Sequence, residues 1–138
     1  MWNSIPGAYR FDSTASGIDA VVEELDETAL PGHGRKLRCR ACQNVITDEG
    51  QRVSIDGEHV HSRVNPAGIS FCFGCFRSAP GCSALGVASE EFSWFTGCRW
   101  KVAVCRGCGD HLGWSFNGSR SFYGLILARL VADEEKPH

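Results

Sequence analysis

From Leu37 onward the apolar residues of this chain come in short runs broken by turn formers, with no sustained 3.6-residue period. Short runs bounded by Gly, Pro, Asn and Asp predict strands. Val45–Ile46 and Arg52–Ile55 come first, with Asp56-Gly57 as a turn. His59–Val64 alternates weakly, Asn65-Pro66-Ala67-Gly68 is a loop by composition, and the apolar run Ile69–Phe76 predicts a strand. Phe92–Phe95 and Trp100–Val104 predict a hairpin around Thr96-Gly97. Leu112–Phe116 and Phe122–Ile126 predict a second around Asn117-Gly118, followed by a mostly apolar Leu127–Val131 and a polar tail. The expected class is mainly β with little helix.

Residues 1–35 follow a different pattern. Ser16-Gly17-Ile18-Asp19 resembles a capping box, and Ile18, Val21, Val22 and Leu25 fall on one helical face. Pro31-Gly32-His33-Gly34 reads as a linker. The expected organisation is an N-terminal leader over 1–35, either a short helix or partly disordered, and one domain over 36–138.

Eight cysteines change the picture. Cys39-x-x-Cys42 and Cys105-x-x-Cys108 stand far apart, and each pair can aim two sulfurs at one point. Four thiolates complete the tetrahedron that zinc prefers, so Cys39, Cys42, Cys105 and Cys108 are expected to hold one structural Zn2+ per chain. Such a closed site has no open position for water or substrate. Gly107 and Gly109 suit the second pair to a tight knuckle. A disulfide framework and a thioredoxin-like redox pair are the competing readings. The first wants an export signal, and Met1–Arg35 shows no apolar h-region. The second wants a βαβ setting that the pattern lacks. Cys72, Cys75, Cys82 and Cys98 are expected to be buried thiols. A second metal site at Cys72, Cys75 and Cys82 would lack a fourth ligand.

Charge and length narrow the partners. With 138 residues and a formal charge of −2, the chain lacks the basic face of a nucleic-acid binder. The short basic run Arg35, Lys36, Arg38 and Arg40 flanks the first cysteine pair, and reads as local charge balance or as a partner surface. No stretch approaches the roughly 20 apolar residues of a membrane helix. The cysteine usage without an export signal suggests a cytoplasmic location.

Trp94, Trp100, Trp114 and Phe116 surround the second cysteine pair. Trp94 and Trp100 would face each other across the first predicted hairpin, and Trp114 and Phe116, two apart on one strand, share a face. They form either core or an aromatic cage for a flat or cationic ligand.

The run Phe92-Ser93-Trp94-Phe95-Thr96-Gly97-Cys98-Arg99-Trp100, then Cys105-Arg106-Gly107-Cys108 and His111-Leu112-Gly113-Trp114-Ser115-Phe116, resembles cereblon-type thalidomide-binding (CULT) domains. Cys39-Arg40-Ala41-Cys42, Val64-Asn65-Pro66-Ala67-Gly68 and Phe122-Tyr123-Gly124-Leu125 extend the resemblance over roughly 36–130, closest to the stand-alone bacterial members. The resemblance implies a β-tent, two antiparallel sheets pinned by the four-cysteine zinc. It implies a binding module rather than an enzyme, taking glutarimide and related cyclic imides in a three-tryptophan cage. Carried over by motif, Trp94, Trp100 and Trp114 are the walls and Phe116 closes one side. Asn65, Pro66 and Phe71 border the pocket, and the Phe92-Ser93-Trp94 backbone pairs with the imide.

The chain departs from the animal pattern at Phe92, where those proteins have histidine, and at Cys98, where they have tyrosine. It also lacks the region through which cereblon joins a ubiquitin ligase, so no such adaptor role carries over. His111 is expected to be a buried hydrogen bonder, and His59 and His61 ordinary surface residues. Two other function classes remain. The β-tent is shared with methionine sulfoxide reductases of the B type, in which Cys98 or Cys82 would be the nucleophile. Three tryptophans also suit a quaternary ammonium group, with Glu90 or Glu91 as a possible counter-charge.

Overall fold

The computed structural model describes residues 24–25 and 34–133. Its strands are β1 (Glu24–Leu25), β2 (Lys36–Cys39), β3 (Val45–Asp48), β4 (Val53–Ser54), β5 (Val60–Val64) and β6 (Ser70–Phe76). They continue with β7 (Cys82–Ser89), β8 (Cys98–Cys105), β9 (His111–Gly118), β10 (Phe122–Ile126) and β11 (Leu130–Ala132). Among the described residues helix is confined to two 3-10 turns, Glu49–Gln51 and Leu127–Arg129. No helix among the described residues is long and apolar enough to cross a membrane.

Two antiparallel sheets form the fold, as the β-tent expectation requires. The larger has the strand order β5-β6-β10-β9-β8-β7 and the smaller β11-β2-β3. A short ladder also joins β1 to β4, pairing Leu25 with Val53. Leu25 is therefore in extended backbone and not on a helical face. The rest of that predicted helix, Ile18 through Val22, lies outside the described residues.

Alternation along the central strands sorts the core into two clusters. Phe76, Leu125, Ala103 and Cys105 pack with Leu37, Cys39, Ile46 and Leu130 of the small sheet. Residues of opposite parity, Phe73, Cys75, Cys98, Trp114, Phe116, Phe122 and Ile126, form the second cluster with Trp94, Phe95, Val53 and Ile55. Leu112 has the parity of Trp114 yet packs in the first cluster. The β8–β9 register shifts between Ala103 and Val104, which resets the alternation there. The large sheet is thus buried on both faces, and every residue from His111 to Phe116 is buried.

Most predicted strands exist, but the first predicted hairpin does not. Residues 90–97 are a loop between β7 and β8, and β8 pairs instead with β7, a strand the pattern did not reveal. Trp94 therefore stands on a loop and not across a hairpin from Trp100. The second hairpin exists, with Phe122 opposite Phe116 and Tyr123 opposite Ser115, but Asn117 and Gly118 belong to β9, paired with Arg99 and Cys98, and the turn falls at 119–121.

Gly113 sits where β9 and β10 touch. A Cβ there would lie 1.9 Å from the Gly124 carbonyl oxygen, a backbone atom that cannot yield. Gly113→Ala should lower the urea midpoint by the equivalent of about 3 kcal/mol, the upper end of overpacking costs, without changing the m-value. An unchanged midpoint would show that the two strands can separate freely.

Candidate metal centre and aromatic core

Two matching knuckles bring the thiols together. In the first, between β2 and β3, the Cys39 amide donates to the Asn44 carbonyl (2.8 Å) and the Gln43 amide returns to the Cys39 carbonyl (2.8 Å). In the second, between β8 and β9, Cys105 donates to the Asp110 carbonyl (2.9 Å) and Gly109 returns to Cys105 (2.9 Å). The equivalent turn residues Gln43 and Gly109 both take positive φ, 69° and 81°. Gly107 is needed for a different reason than expected. Its φ is not positive, but a Cβ there would lie 3.2 Å from Cys42 Sγ and 3.3 Å from Asn44 Cβ.

All four Sγ atoms lie within 4.8 Å of one another. Cys39 and Cys108 are 3.8 Å apart, and Cys42 and Cys105 3.6 Å. Sulfurs on a tetrahedron at 2.3 Å from a central ion would be about 3.8 Å apart, so donor type and spacing fit a metal ion. The environment favours thiolate at Cys105, while the Cys39, Cys42 and Cys108 thiols are held above their ordinary range. Burial pushes the Cys105 thiol up, but the amides of Cys108 and Gly107, with Cys42 and the Asn44 side chain, bring it down to about 7. Gly107 N donates to Cys105 Sγ at 3.3 Å and Asn44 Nδ2 at 3.7 Å.

The basic run beside this cluster is largely engaged locally. Arg35 pairs with Glu49 at 2.8 Å, Arg38 with Asp133 at 2.7 Å, and Arg40 donates to the Ala128 carbonyl at 3.3 Å.

Among the described residues this is the one cluster of three or more potential metal-ligating side chains. Cys72 and Cys75 lie on opposite faces of β6, and Cys72 is exposed, contrary to the buried reading. Cys75, Cys82 and Cys98 are buried as expected. Burial, then the nearby Cys105, raises the Cys82 thiol to about 12. Burial also raises Cys98, whose Sγ contacts the Arg120 carbonyl at 3.8 Å.

The aromatic residues pack as a second, metal-free core. Trp94 and Trp114 are fully buried and meet edge-to-face at 4.9 Å. Phe73, which the sequence reading did not single out, stacks on Trp94 at 5.4 Å. Phe71 abuts Trp114 at 5.1 Å, and Trp94 Nε1 donates to the Val64 carbonyl at 3.4 Å. Phe116 packs against Phe95 and Phe122, each at 5.0 Å. Trp100 is half-buried at the margin of this cluster, its Nε1 donating to the Glu91 carbonyl at 2.8 Å.

The loops bordering this core are tightly built. Asn65 is buried, and its Oδ1 accepts from the amides of Ala67 (3.0 Å) and Ile69 (2.9 Å), leaving Pro66 exposed. Ser93 Oγ donates to the Phe95 carbonyl at 3.1 Å. Phe92 is 44% exposed with φ 57°, a conformation that costs a side-chain-bearing residue about 1–2 kcal/mol.

His61 corrects the surface expectation. It is buried, and its Nε2 lies 3.1 Å from the Ile55 carbonyl and 2.9 Å from that of Glu58. His59 is half-buried, edge-on to Phe76 at 5.2 Å. His111 matches expectation: Nε2 donates to the Gly113 carbonyl (3.0 Å), while Arg129 Nη1 approaches Nδ1 (3.4 Å) and donates to the His111 carbonyl (2.7 Å).

Burial, then the Arg129 charge, lowers His111 to about 4. The unfolded ring binds a proton near pH 6.5, so between 6.5 and 4 the unfolded state holds more protons. Its stabilising contribution is full above pH 6.5, falls by up to about 3 kcal/mol as pH drops, and is gone below 4. An NMR titration should find the His111 imidazole still neutral at pH 5. A midpoint near 6.5 would contradict its burial.

No family model matches the chain. It is 32% identical to protein cereblon of Gallus gallus over 137 residues, 89% of this chain and 30% of that protein. It is 38% identical to protein cereblon of Xenopus tropicalis over 103 residues, 68% of this chain and 23% of that protein. With Danio rerio protein cereblon the identity is 31% over 125 residues, 84% and 28% of the two. The chain thus spans less than a third of the length of these relatives. This similarity over most of the chain, joined to two antiparallel sheets and a four-cysteine cluster, supports a cereblon-like domain.

Proposed function

We propose that this chain is a zinc-stabilised module that binds glutarimides and related cyclic imides, without catalysis of its own. The observation that carries the reading is the Phe92-Ser93-Trp94 segment. Among the described residues, the Phe92 and Trp94 backbone groups make no hydrogen bond. They adjoin the Trp94 indole, which meets Trp114 edge-to-face at 4.9 Å, and indole faces suit the methylenes of a small ring. An imide offers one donor between two acceptors, which matches such a peptide edge. Similarity to cereblon supports the same reading.

Trp94, Trp100 and Trp114 are the cage walls in this proposal, with Phe116 behind them and Asn65, Pro66 and Phe71 at the border. Trp94 and Trp114 are fully buried, so ligand entry requires the 90–97 loop to lift. The strained Phe92 backbone lowers the cost of that opening. The raised Cys82 and Cys98 thiols argue against a sulfoxide reductase, whose nucleophile must ionise. A quaternary ammonium reader would want a carboxylate facing the indoles; Glu90 is held by Arg99 at 3.0 Å, and Glu91 is exposed to solvent and contributes only its backbone carbonyl to Trp100 Nε1.

Cys39, Cys42, Cys105 and Cys108 would hold the zinc, which supplies cross-linking and no reaction chemistry. Metal analysis should find one zinc per chain, and Cys105→Ser should lose it and fail to fold, since structural zinc contributes roughly 10–16 kcal/mol of apparent binding energy. A folded Cys105→Ser protein with full zinc would refute the ligand set.

Glutarimide should quench tryptophan fluorescence with an affinity in about the micromolar range. N-methylation of the imide should abolish the response, because a loop carbonyl left without its donor costs roughly 1–3 kcal/mol before any clash. Trp100→Ala should stay folded and zinc-replete but stop responding. If it binds as well as the parent, the tryptophans are core alone.

A further inference from the structure

The described residues enclose a cleft of about 750 Å3 that none of the three tryptophans lines. Its volume lies in the range of small-molecule sites. The floor is the far end of the β8–β9 ladder, where Arg99 pairs with Asn117 and Lys101 with Ser115. One wall is the 90–97 loop, contributing Phe92, Ser93 and Thr96.

The Gly97 end of that wall is clamped to the floor. The Ser119 amide donates to the Gly97 carbonyl at 3.1 Å, and Cys98 pairs with Gly118. Gly118 has φ 150°, and a Cβ there would lie 2.1 Å from the Gly97 carbonyl oxygen. The Gly97–Gly118 end of the cleft is therefore fixed, so Lys101 and Asn117 keep their places on the β8–β9 floor when the rest of the loop moves.

Its charge is uneven. Glu90 neutralises Arg99 through the 3.0 Å ion pair. Lys101 is only half-exposed and, among the described residues, has no hydrogen-bond or ion-pair partner. One positive charge is thus left uncompensated in a recess. Asn117 Nδ2 spends one proton on Ser115 Oγ (3.0 Å), and an amide has a second to offer. Phe92, 44% exposed, adds an apolar ring surface.

We infer that this cleft binds small planar monocarboxylates, the carboxylate on Lys101 and Asn117 and the flat apolar part against Phe92. One carboxylate matches one free ammonium, whereas a dianion would be underpaired and would confront Glu90. The inference does not rest on imide binding, because the tryptophans take no part.

The test uses the full metal-loaded chain and benzoate, followed by amide NMR. Benzoate should give saturable shifts centred on Arg99, Lys101, Asn117 and Phe92, in about the millimolar range for so few atoms. Benzamide, equal in shape and uncharged, should bind at least about tenfold more weakly, as should Lys101→Met with benzoate, while Lys101→Arg should stay within about threefold of the parent. Unchanged amide dispersion and metal content would show that the variants are folded. The glutarimide response of Lys101→Met, expected to match the parent, reads the other site separately. Equal binding of benzamide and benzoate, full benzoate binding by Lys101→Met, or shifts centred elsewhere would overturn the inference.

Discussion

The four-thiol cluster is the constraint on which the rest of this structure depends. The small sheet has only three short strands, and a sheet buries its apolar face only against another layer. One cysteine knuckle closes a hairpin of that sheet and the other closes a hairpin of the large one. Drawing the sulfurs together therefore fixes one sheet against the other. Neighbouring contacts follow the same seam: the Gly81 amide reaches the Ile46 carbonyl at 3.0 Å, and Thr47 Oγ1 reaches the Ser78 carbonyl at 2.7 Å. Gly81 allows this approach, since a Cβ there would lie 2.1 Å from the Val45 carbonyl oxygen.

Fixing one face of the large sheet leaves its other face to the aromatic residues. Trp114, Phe116, Phe73 and Phe122 come from paired strands and are rigidly placed, whereas Trp94 and Phe95 come from the 90–97 loop. The aromatic core thus has a strand-built floor and a loop-built lid. In the proposed binding module the floor would stay in register while the lid lifts. It also separates two kinds of chemistry around one loop, with indole faces on one side and the Lys101 ammonium on the other.

Parts of this arrangement were legible from residues alone because their causes are local. The Cys-x-x-Cys spacing, the Asp56-Gly57 turn with φ 54° and 87°, and the apolar strand Phe122–Ile126 each depend on a few neighbouring residues. Where tertiary context decides, local reading failed. In β5 the valines at 60 and 64 face outward while His61 turns inward to two carbonyls, the reverse of the polarity the pattern suggests. The Ser93-Trp94-Phe95 run looks like a strand because its aromatic residues are buried, yet they are buried as a loop cover. Strand β7 was missed because Gly86, at φ 81°, and a register break interrupt its pattern, and Val87 is 90% exposed. The family motif located the tryptophans in sequence, but it could not reveal that Trp94 and Trp114 pack edge-to-face.

The central claim is that four thiolates clasp one ion between the sheets, and X-ray absorption at the zinc edge of the metal-loaded protein tests it most directly. The account predicts a single shell of four sulfurs at about 2.3 Å. A shell containing nitrogen or oxygen, or fewer than four sulfurs, would contradict it.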